Sequence, residues 1–191
     1  MRKSPLLAAA LAASLSLGFA GTAAAETFKV DPAHSFVNFE ISHIGFSMLQ
    51  GRFNKLEGKF TYDAAKPDAS TIEVKVDTGS VDSNYGERDK HLRDKYLFTD
   101  KFPTATFKST KFVENGGKAT LEGDLTLHGV TRPVTLDVTF NGGATDIITG
   151  KYTLGFAATG SFKRSEFGVD DYIPAIGDEM QLEIYTEFQR R

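Results

Sequence analysis

The chain has 191 residues, a formal net charge of −3 and no cysteine. The lack of thiols excludes disulfides, cysteine nucleophiles and a lipid-modified cysteine. A slightly acidic chain offers no basic patch of the kind that nucleic-acid binding requires, so we expect no nucleic-acid partner. Sixteen phenylalanines and no tryptophan, together with many threonines and valines, favour strands.

The first 25 residues have the layout of a secretory signal peptide. Two basic residues open the chain, an Ala- and Leu-rich run follows from 6 to 20, and three alanines stand at 23–25. This order is typical of a cleavable signal, and the run is too short to favour a retained membrane span. We therefore predict cleavage after Ala25, export to the periplasm, and one mature domain of residues 26–191 that does not span the membrane.

From residue 26 onward, apolar residues recur at every second position, which is the period of strands with one buried face. In the first long segment Val37, Phe39 and Ile41 alternate with polar neighbours. Seven further stretches repeat the alternation, at 56–62, 72–76, 105–107, 119–127, 134–140, 154–162 and 180–186. With a short opening strand at 28–31 that Pro32 ends or kinks, eight or nine strands are predicted, which fits a closed barrel or a sandwich.

One charged segment, from Asn84 to Tyr96, breaks the period of two and predicts a helix. Asn84 with Glu87 three residues later has the spacing of a capping box. We expect this helix to lie across one end of the barrel, where it and a loop from His43 to Arg52 form the opening.

The predicted inward positions mix large and small residues. Phenylalanines and leucines alternate with Gly58, Ala105, Ala119, Gly123, Ala158 and Gly160. An eight-stranded barrel is either just filled by its side chains or holds one small ligand. Two interpretations therefore stay open at this point: a cavity for a long apolar ligand, or a dry core in which the small residues make room for large neighbours.

Five motifs, in this order, resemble the YceI-like family. They are HIGFSMLQGRF at 43–53, VDSNYGERDKHLR at 81–93, FPTATFKST at 102–110, LTLHGVTRPVTL at 125–136 and GSFKRSEFGVD at 160–170. The resemblance covers nearly all of the mature chain. It implies an all-β, lipocalin-like, closed antiparallel eight-stranded barrel in the periplasm that encloses an amphiphilic lipid, such as a quinone or a polyprenyl phosphate. It implies no enzymatic activity, and no cofactor beyond the bound isoprenoid.

Together the pattern and the resemblance predict a set of ligand-contacting residues. The barrel lining is expected to include Val37, Phe39, Phe46, Phe53, Phe60, Phe107, Leu121, Phe156 and Phe162. A polar head group at the opening is expected to meet Arg88 and His91, with Arg52 and Asp82 as weaker candidates, because arginine hydrogen-bonds phosphate or quinone oxygens well.

The polar residues also allow other interpretations. His91 with Asp89 or Asp82 would suit a lipid-modifying enzyme at the barrel mouth, and a bound quinone could be presented to a membrane cytochrome. Asp31, His34 and Ser35 can be written as a nucleophilic triad, but they lack the strand-turn-helix elbow of such sites. The four histidines show no ligand spacing, so no metal is expected. A homodimer is left open.

Overall fold

The protein is described here by a computed structural model that covers residues 25–63, 66–116 and 118–191. The predicted signal peptide lies outside the described residues, apart from Ala25. Eleven strand segments run from one end of this region to the other. They are β1 (Glu26–Val30), β2 (Phe36–His43), β3 (Ser47–Phe53), β4 (Leu56–Tyr62), β5 (Thr71–Asp77), β6 (Val81–Asp82), β7 (Thr104–Asn115), β8 (Lys118–Leu127), β9 (Val130–Thr145), β10 (Tyr152–Lys163) and β11 (Glu179–Arg190).

These segments form eight barrel strands, because three pairs of consecutive segments each continue one another. The same edge of β11 pairs with β1 at Val30↔Phe188 and with β2 at Phe36↔Tyr185. Segments β3 and β4 likewise form one strand, in which β3 pairs with β2 and β4 pairs with β1. Segments β5 and β6 form the next strand, in which β5 pairs with β4 and β6 pairs with β3. Each of the eight strands is antiparallel to its neighbours along the chain.

The barrel closes between its first and last strands. Strand β1 pairs with β11 on one edge, from Phe28↔Arg190 to Val30↔Phe188, and with β4 on the other. The described residues therefore form a closed, eight-stranded, antiparallel barrel, and this prediction is confirmed. The interpretation of 43–52 as a loop was wrong, because residues from Ser47 onward pair with β2 as strand β3.

A serine hydroxyl keeps β1 and β2 aligned with β11 across the break between them. Pro32 lies in the turn that separates the two segments, as its lack of a backbone donor requires. The buried Ser35 supplies the missing partner: its Oγ accepts from the Glu187 backbone N–H at 3.1 Å. The Asp31 backbone N–H donates to the Glu187 carbonyl at 2.8 Å, so the wall stays hydrogen-bonded through the break.

The predicted helix is present, as α1 (Gly86–His91) followed by a π-helical turn (Leu92–Tyr96). Its predicted capping box is wrong. Asn84 has a φ of 62°, Tyr85 occupies the N-cap position, and no side chain bonds there. Asp89 instead reaches back from the helix and accepts hydrogen bonds from the backbone N–H and the hydroxyl of Ser83. This contact fixes how the helix leaves β6.

Two apolar clusters fill opposite parts of the barrel. At one end Phe28, Phe60 and Phe188 are buried against each other and against Leu154. Near the other end Phe167 is fully buried among residues of β7, β8 and β9. Between these clusters, and toward the end of the barrel that carries helix α1, side chains do not fill the interior.

Candidate functional site: an apolar tunnel with a polar mouth

The middle of the barrel contains a cavity of about 140 Å³ with an almost wholly apolar wall. Its lining side chains come from all eight strands. They include Val37, Phe60, Ile72, Phe107, Leu121, Leu136, Phe156, Ala158 and Ile184. A volume of this polarity suits hydrocarbon, because burying a polar group without a partner costs free energy.

A larger cavity of about 420 Å³ lies next to it, toward the helix. Val37, Val76, Ala105, Leu125 and Leu182 line both cavities, so the two form one tunnel. Strand β11 lines this tunnel from Met180 to Phe188. That stretch is about 27 Å of strand, which a barrel tilt of about 40° shortens to roughly 20 Å along the axis.

Aromatic rings close the far end of the tunnel. Phe60 packs edge-on against Phe156 and Phe188, with ring centroids 5.7 Å away in both cases, and it stacks on Phe28 at 6.0 Å. The Phe60 side chain is only 4% exposed, so it forms a floor between the cavity and the end of the barrel. The tunnel is thus blind at this end.

Polar groups gather at the other end, around the larger cavity. Helix α1 and the turn after it contribute Glu87, Arg88, His91 and Tyr96, while the segment after β10 contributes Arg164, Asp171 and Tyr172. Burial raises the pKa of the Tyr96 hydroxyl, and the neighbouring Tyr172 and Asp171 raise it further. The Tyr96 and Tyr172 rings meet edge to face at 6.3 Å.

Arg164 holds one wall of the mouth in place. Its side chain is buried, and its Nε and Nη atoms donate to the carbonyls of Gly177, Val169, Asp171 and Ile176 at 2.8–3.1 Å. Burial lowers the pKa of Arg164, and the nearby Asp178 opposes that effect. One guanidinium therefore fixes the whole segment from 169 to 177 against the barrel.

The structure places most of the predicted lining side chains on the tunnel. Val37, Phe39, Phe53, Phe60, Phe107, Leu121, Phe156 and Phe162 face one or both cavities. Phe46 does not, and its prediction as a lining residue needs correction. It is 85% exposed, because the positive φ angles of Ile44 and Gly45 turn the β2–β3 hairpin so that the ring points away from the barrel. Contact of any of these residues with a ligand remains a prediction.

The four predicted head-group residues separate into two pairs. Arg88 and His91 line the mouth cavity. Arg52 and Asp82 instead form an ion pair with each other at 3.7 Å, half-exposed on strands β3 and β6, and line neither tunnel cavity. Sequence reasoning assigned no role at the mouth to Arg164, Tyr96 or Tyr172. The only signal for Arg164 was its place in the GSFKRSEFGVD motif, which gave no role to any single residue.

The small inward residues serve two purposes. Ala105 and Ala158 line the tunnel. Gly123 and Gly160 do not: the ring of Phe107 lies against Gly123, and a Cβ at Gly160 would be 2.7 Å from a Leu136 methyl carbon. The glycines therefore make room for large neighbours in the wall, and the alanines leave the space that remains empty.

The three residues that can be written as a nucleophilic triad, Asp31, His34 and Ser35, do not assemble into one: Asp31 and His34 pair with each other, and Ser35 is buried. The His34 Nδ1 and an Asp31 carboxylate oxygen are 2.8 Å apart, but the Ser35 hydroxyl is engaged by Thr186 and Glu187. The hydrogen bond to Asp31 raises the pKa of His34. Partial burial opposes the corresponding shift of Asp31, but the hydrogen bonds from His34 and Ala33 outweigh it and lower the Asp31 pKa. Asp31, His34 and Glu187 are also the only described side chains that come close enough together to hold a metal ion.

Fold and interior together define a lipocalin-like barrel with a blind apolar tunnel, and comparison with known proteins identifies its family. The model of the YceI-like domain matches residues 28–188. A UPF0312 protein of Vibrio cholerae is 41% identical over 187 residues, 97% of each chain. A UPF0312 protein of Pseudomonas aeruginosa is 42% identical over 182 residues, 94% of this chain and 95% of the relative. The chain belongs to the YceI-like family.

Solved structures share the fold. The YCEI protein of Campylobacter jejuni has a TM-score of 0.68 at 28% identity, covering 78% of this chain and 90% of that one. BcnA of Burkholderia cenocepacia has a TM-score of 0.74 at 24% identity, covering 83% and 98%. A polyisoprenoid-binding domain from Saccharophagus degradans has a TM-score of 0.64 at 17% identity, covering 86% and 98%. Among the described residues, no helix is long and apolar enough to cross a bilayer.

Proposed function

We propose that this protein is a periplasmic, non-catalytic carrier that holds the tail of a long amphiphilic lipid, a polyisoprenoid, inside its barrel. The observation that carries the proposal is the tunnel itself, which is apolar along its length, blind at Phe60 and polar only at its mouth. The solved domain described as polyisoprenoid-binding supports it through the shared fold.

The energetics favour a long tail over a specific head group. Each buried methylene contributes about 0.8 kcal/mol, so several prenyl units would bind tightly with few polar contacts. The almost wholly apolar lining around Phe107, Leu121 and Phe156 suits hydrocarbon units, which form no hydrogen bonds. Selection among lipids therefore falls to the mouth.

The charges at the mouth favour an uncharged head group, such as a quinone or a prenol. Its two guanidinium groups, Arg88 and Arg164, are balanced by Glu87 and Asp171. Both guanidinium groups already donate hydrogen bonds within the protein. Arg88 donates to the hydroxyl and the carbonyl of Ser83, and Arg164 donates to four backbone carbonyls. A phosphate needs several free charge-assisted donors, whereas a single carbonyl or hydroxyl oxygen is served by one remaining Arg88 nitrogen or by His91.

The two rival interpretations find less support. A lipid-modifying enzyme would need Asp89 or Asp82 free to act with His91. Asp89 instead accepts from Ser83, and Asp82 accepts from Asn54 and from the Asn84 backbone. A quinone presented to a membrane cytochrome would use the same tunnel, and no described residue favours that partner in particular.

The test is native mass spectrometry of residues 26–191, purified after expression with the leader, with analysis of the solvent extract. We expect one isoprenoid per protein. Ala158→Phe should reduce the lipid content several-fold, because this side chain projects into the tunnel, and Ala157→Phe should not, because the adjacent position lies on the outer face. An empty extract, together with no binding of added ubiquinone or polyprenol, would overturn the proposal. Equal lipid content in both variants would overturn the tunnel as the site.

A further inference from the structure

Large apolar side chains are exposed at the mouth end of the barrel. Phe46 is 85% exposed, Tyr172 68%, Tyr85 55%, Ile44 50% and Met48 46%. We call these five residues the hydrophobic rim. A patch of apolar side chains on the surface of a soluble domain marks an interaction site with a membrane or a protein.

Hydrogen bonds join two of the segments that carry the rim residues. The Ile44 backbone N–H at the hairpin turn donates to the Ala175 carbonyl at 2.7 Å, and His43 forms a β-bridge with Ile176. The β2–β3 hairpin turn and the segment that carries Tyr172 are therefore joined side by side. Arg164 holds that segment rigidly from inside, through the carbonyls on either side of Tyr172.

The rim is also continuous with the tunnel. Tyr85 and Tyr172 line the mouth cavity and are more than half exposed at the same time. An apolar chain that leaves the tunnel therefore passes directly onto the rim. Glu87, Arg88 and Asp171 also stand at the mouth, so the two tyrosines form the apolar part of its edge.

We propose that the hydrophobic rim docks on a bilayer surface, so that a lipid tail passes between the bilayer and the tunnel without crossing water. This inference rests on the proposed lipid-carrier function. Tyr85 and Tyr172 have the amphipathic rings that settle at the boundary between headgroups and acyl chains, and Phe46 and Ile44 are placed to insert beside them. We expect the rim to bind a lipid surface, because the lipid tail that the tunnel holds would be taken from a bilayer and returned to one.

The charges around the rim indicate that apolar insertion drives this docking. The exposed ionic side chains of the helical segment and of the stretch before Tyr172 carry both signs, with Glu87, Asp94, Asp170 and Asp171 against Lys90 and Lys95. Such a mixed surface has no net attraction for anionic headgroups. Binding should therefore occur on neutral vesicles and change little with salt.

The experiment is co-sedimentation of the mature protein with phosphatidylcholine vesicles, at 50 mM and 500 mM salt. The rim variant is Ile44→Asn/Phe46→Ser, in which asparagine tolerates the φ of 54° at position 44. The control is Ile147→Ser/Ile148→Ser, which removes two fully exposed isoleucines from the hairpin at the opposite end. We expect the rim variant to lose at least about tenfold in vesicle affinity, and the control and the wild type to bind equally at both salt concentrations.

Three results would overturn the docking proposal. They are a wild type that does not sediment with vesicles, equal losses in both variants, and a wild-type dimer that the rim variant converts to a monomer, which would make the rim an interface between copies. A separate measurement keeps the carrier function distinct: lipid delivered from detergent should load the rim variant normally, while transfer from vesicles slows. If detergent-delivered lipid fails to load any variant, the carrier function fails, whatever the vesicles show.

Discussion

The ring of Phe107 lies against the Cα of Gly123 on the neighbouring strand, in the space that a Cβ at this position would occupy. The Lys108 carbonyl oxygen would also lie 2.7 Å from such a Cβ, so the strand itself resists a side chain here. Phe107 owes its position on the tunnel wall to this contact. The glycine makes room for Phe107 and does not itself line the tunnel.

Gly123→Ala should destabilise the barrel by about 1–3 kcal/mol, because the Phe107 ring and the backbone of β7 must both shift. Gly86→Ala is the matched control. No atom lies within 4 Å of the added methyl group, and alanine favours the helix that begins there. Urea denaturation of the two variants measures the difference. A Gly123→Ala protein as stable as the Gly86→Ala protein would contradict the packing described for Phe107.

Arg164→Met should destabilise the fold by about 3 kcal/mol, because four carbonyls lose a charged donor at a buried position. Arg164→Lys should restore little, since one ammonium group cannot reach the carbonyls that the guanidinium spans. Hydrogen exchange at the Ile176 and Gly177 amides should accelerate in both variants. The exposed Arg132, replaced by Met, is the control and should leave both readouts unchanged within about 0.5 kcal/mol.

The pKa of His34 should fall toward its usual value in Asp31→Asn, because the carboxylate that stabilises the imidazolium is gone. The sign of the pH effect follows from the raised pKa. His34 contributes stability that is complete below its unfolded pKa of 6.5 and is lost as the pH rises through the folded pKa. The stability difference between wild type and His34→Gln should therefore shrink as the pH increases. NMR titration of the His34 ring checks the shift, and a pKa that Asp31→Asn leaves unchanged would refute it.

Phe60→Leu should lengthen the longest isoprenoid that the protein binds, because Phe60 forms the blind end of the tunnel. The smaller side chain should also cost about 1–2 kcal/mol of stability. Phe53→Leu is the control, since Phe53 lines the mouth cavity and sets no limit on depth. Competition among polyprenols of increasing length, read by mass spectrometry, distinguishes the two. Identical length limits in both variants would show that Phe60 is not the floor.

Alternation of apolar residues was enough to predict most of the barrel and its lining. Each strand carries its own signal, because residues such as Phe156 and Ala158 share a face whatever the rest of the chain does. The strands at 72–76 and 154–162 were therefore found within a few residues of their true limits. Strand β3 was missed because its sequence, Ser47–Phe53, alternates only from Leu49 onward and begins with two exposed residues.

The features that escaped prediction depend on backbone angles or distant partners. Positive φ angles at Ile44 and Asn84 redirect Phe46 and displace the helix cap. Isoleucine rarely adopts such an angle, whereas asparagine tolerates it but is also a common helix cap, which is how Asn84 was interpreted. Arg164 was not singled out because its partners are main-chain carbonyls up to 13 residues away, which carry no sequence signal. Whether a small inward residue lines the tunnel, as Ala158 does, or makes room for a large neighbour, as Gly123 does, likewise depends on the side chains of the adjacent strand.

The seam between β1 and β11 also dictates the order in which the molecule can be made. Phe28 has no partner on that side until residues 188–190 have been synthesised, so a shorter nascent chain can form hairpins but no enclosed interior. The enclosed tunnel therefore forms only when the first and last strands of the barrel pair with each other.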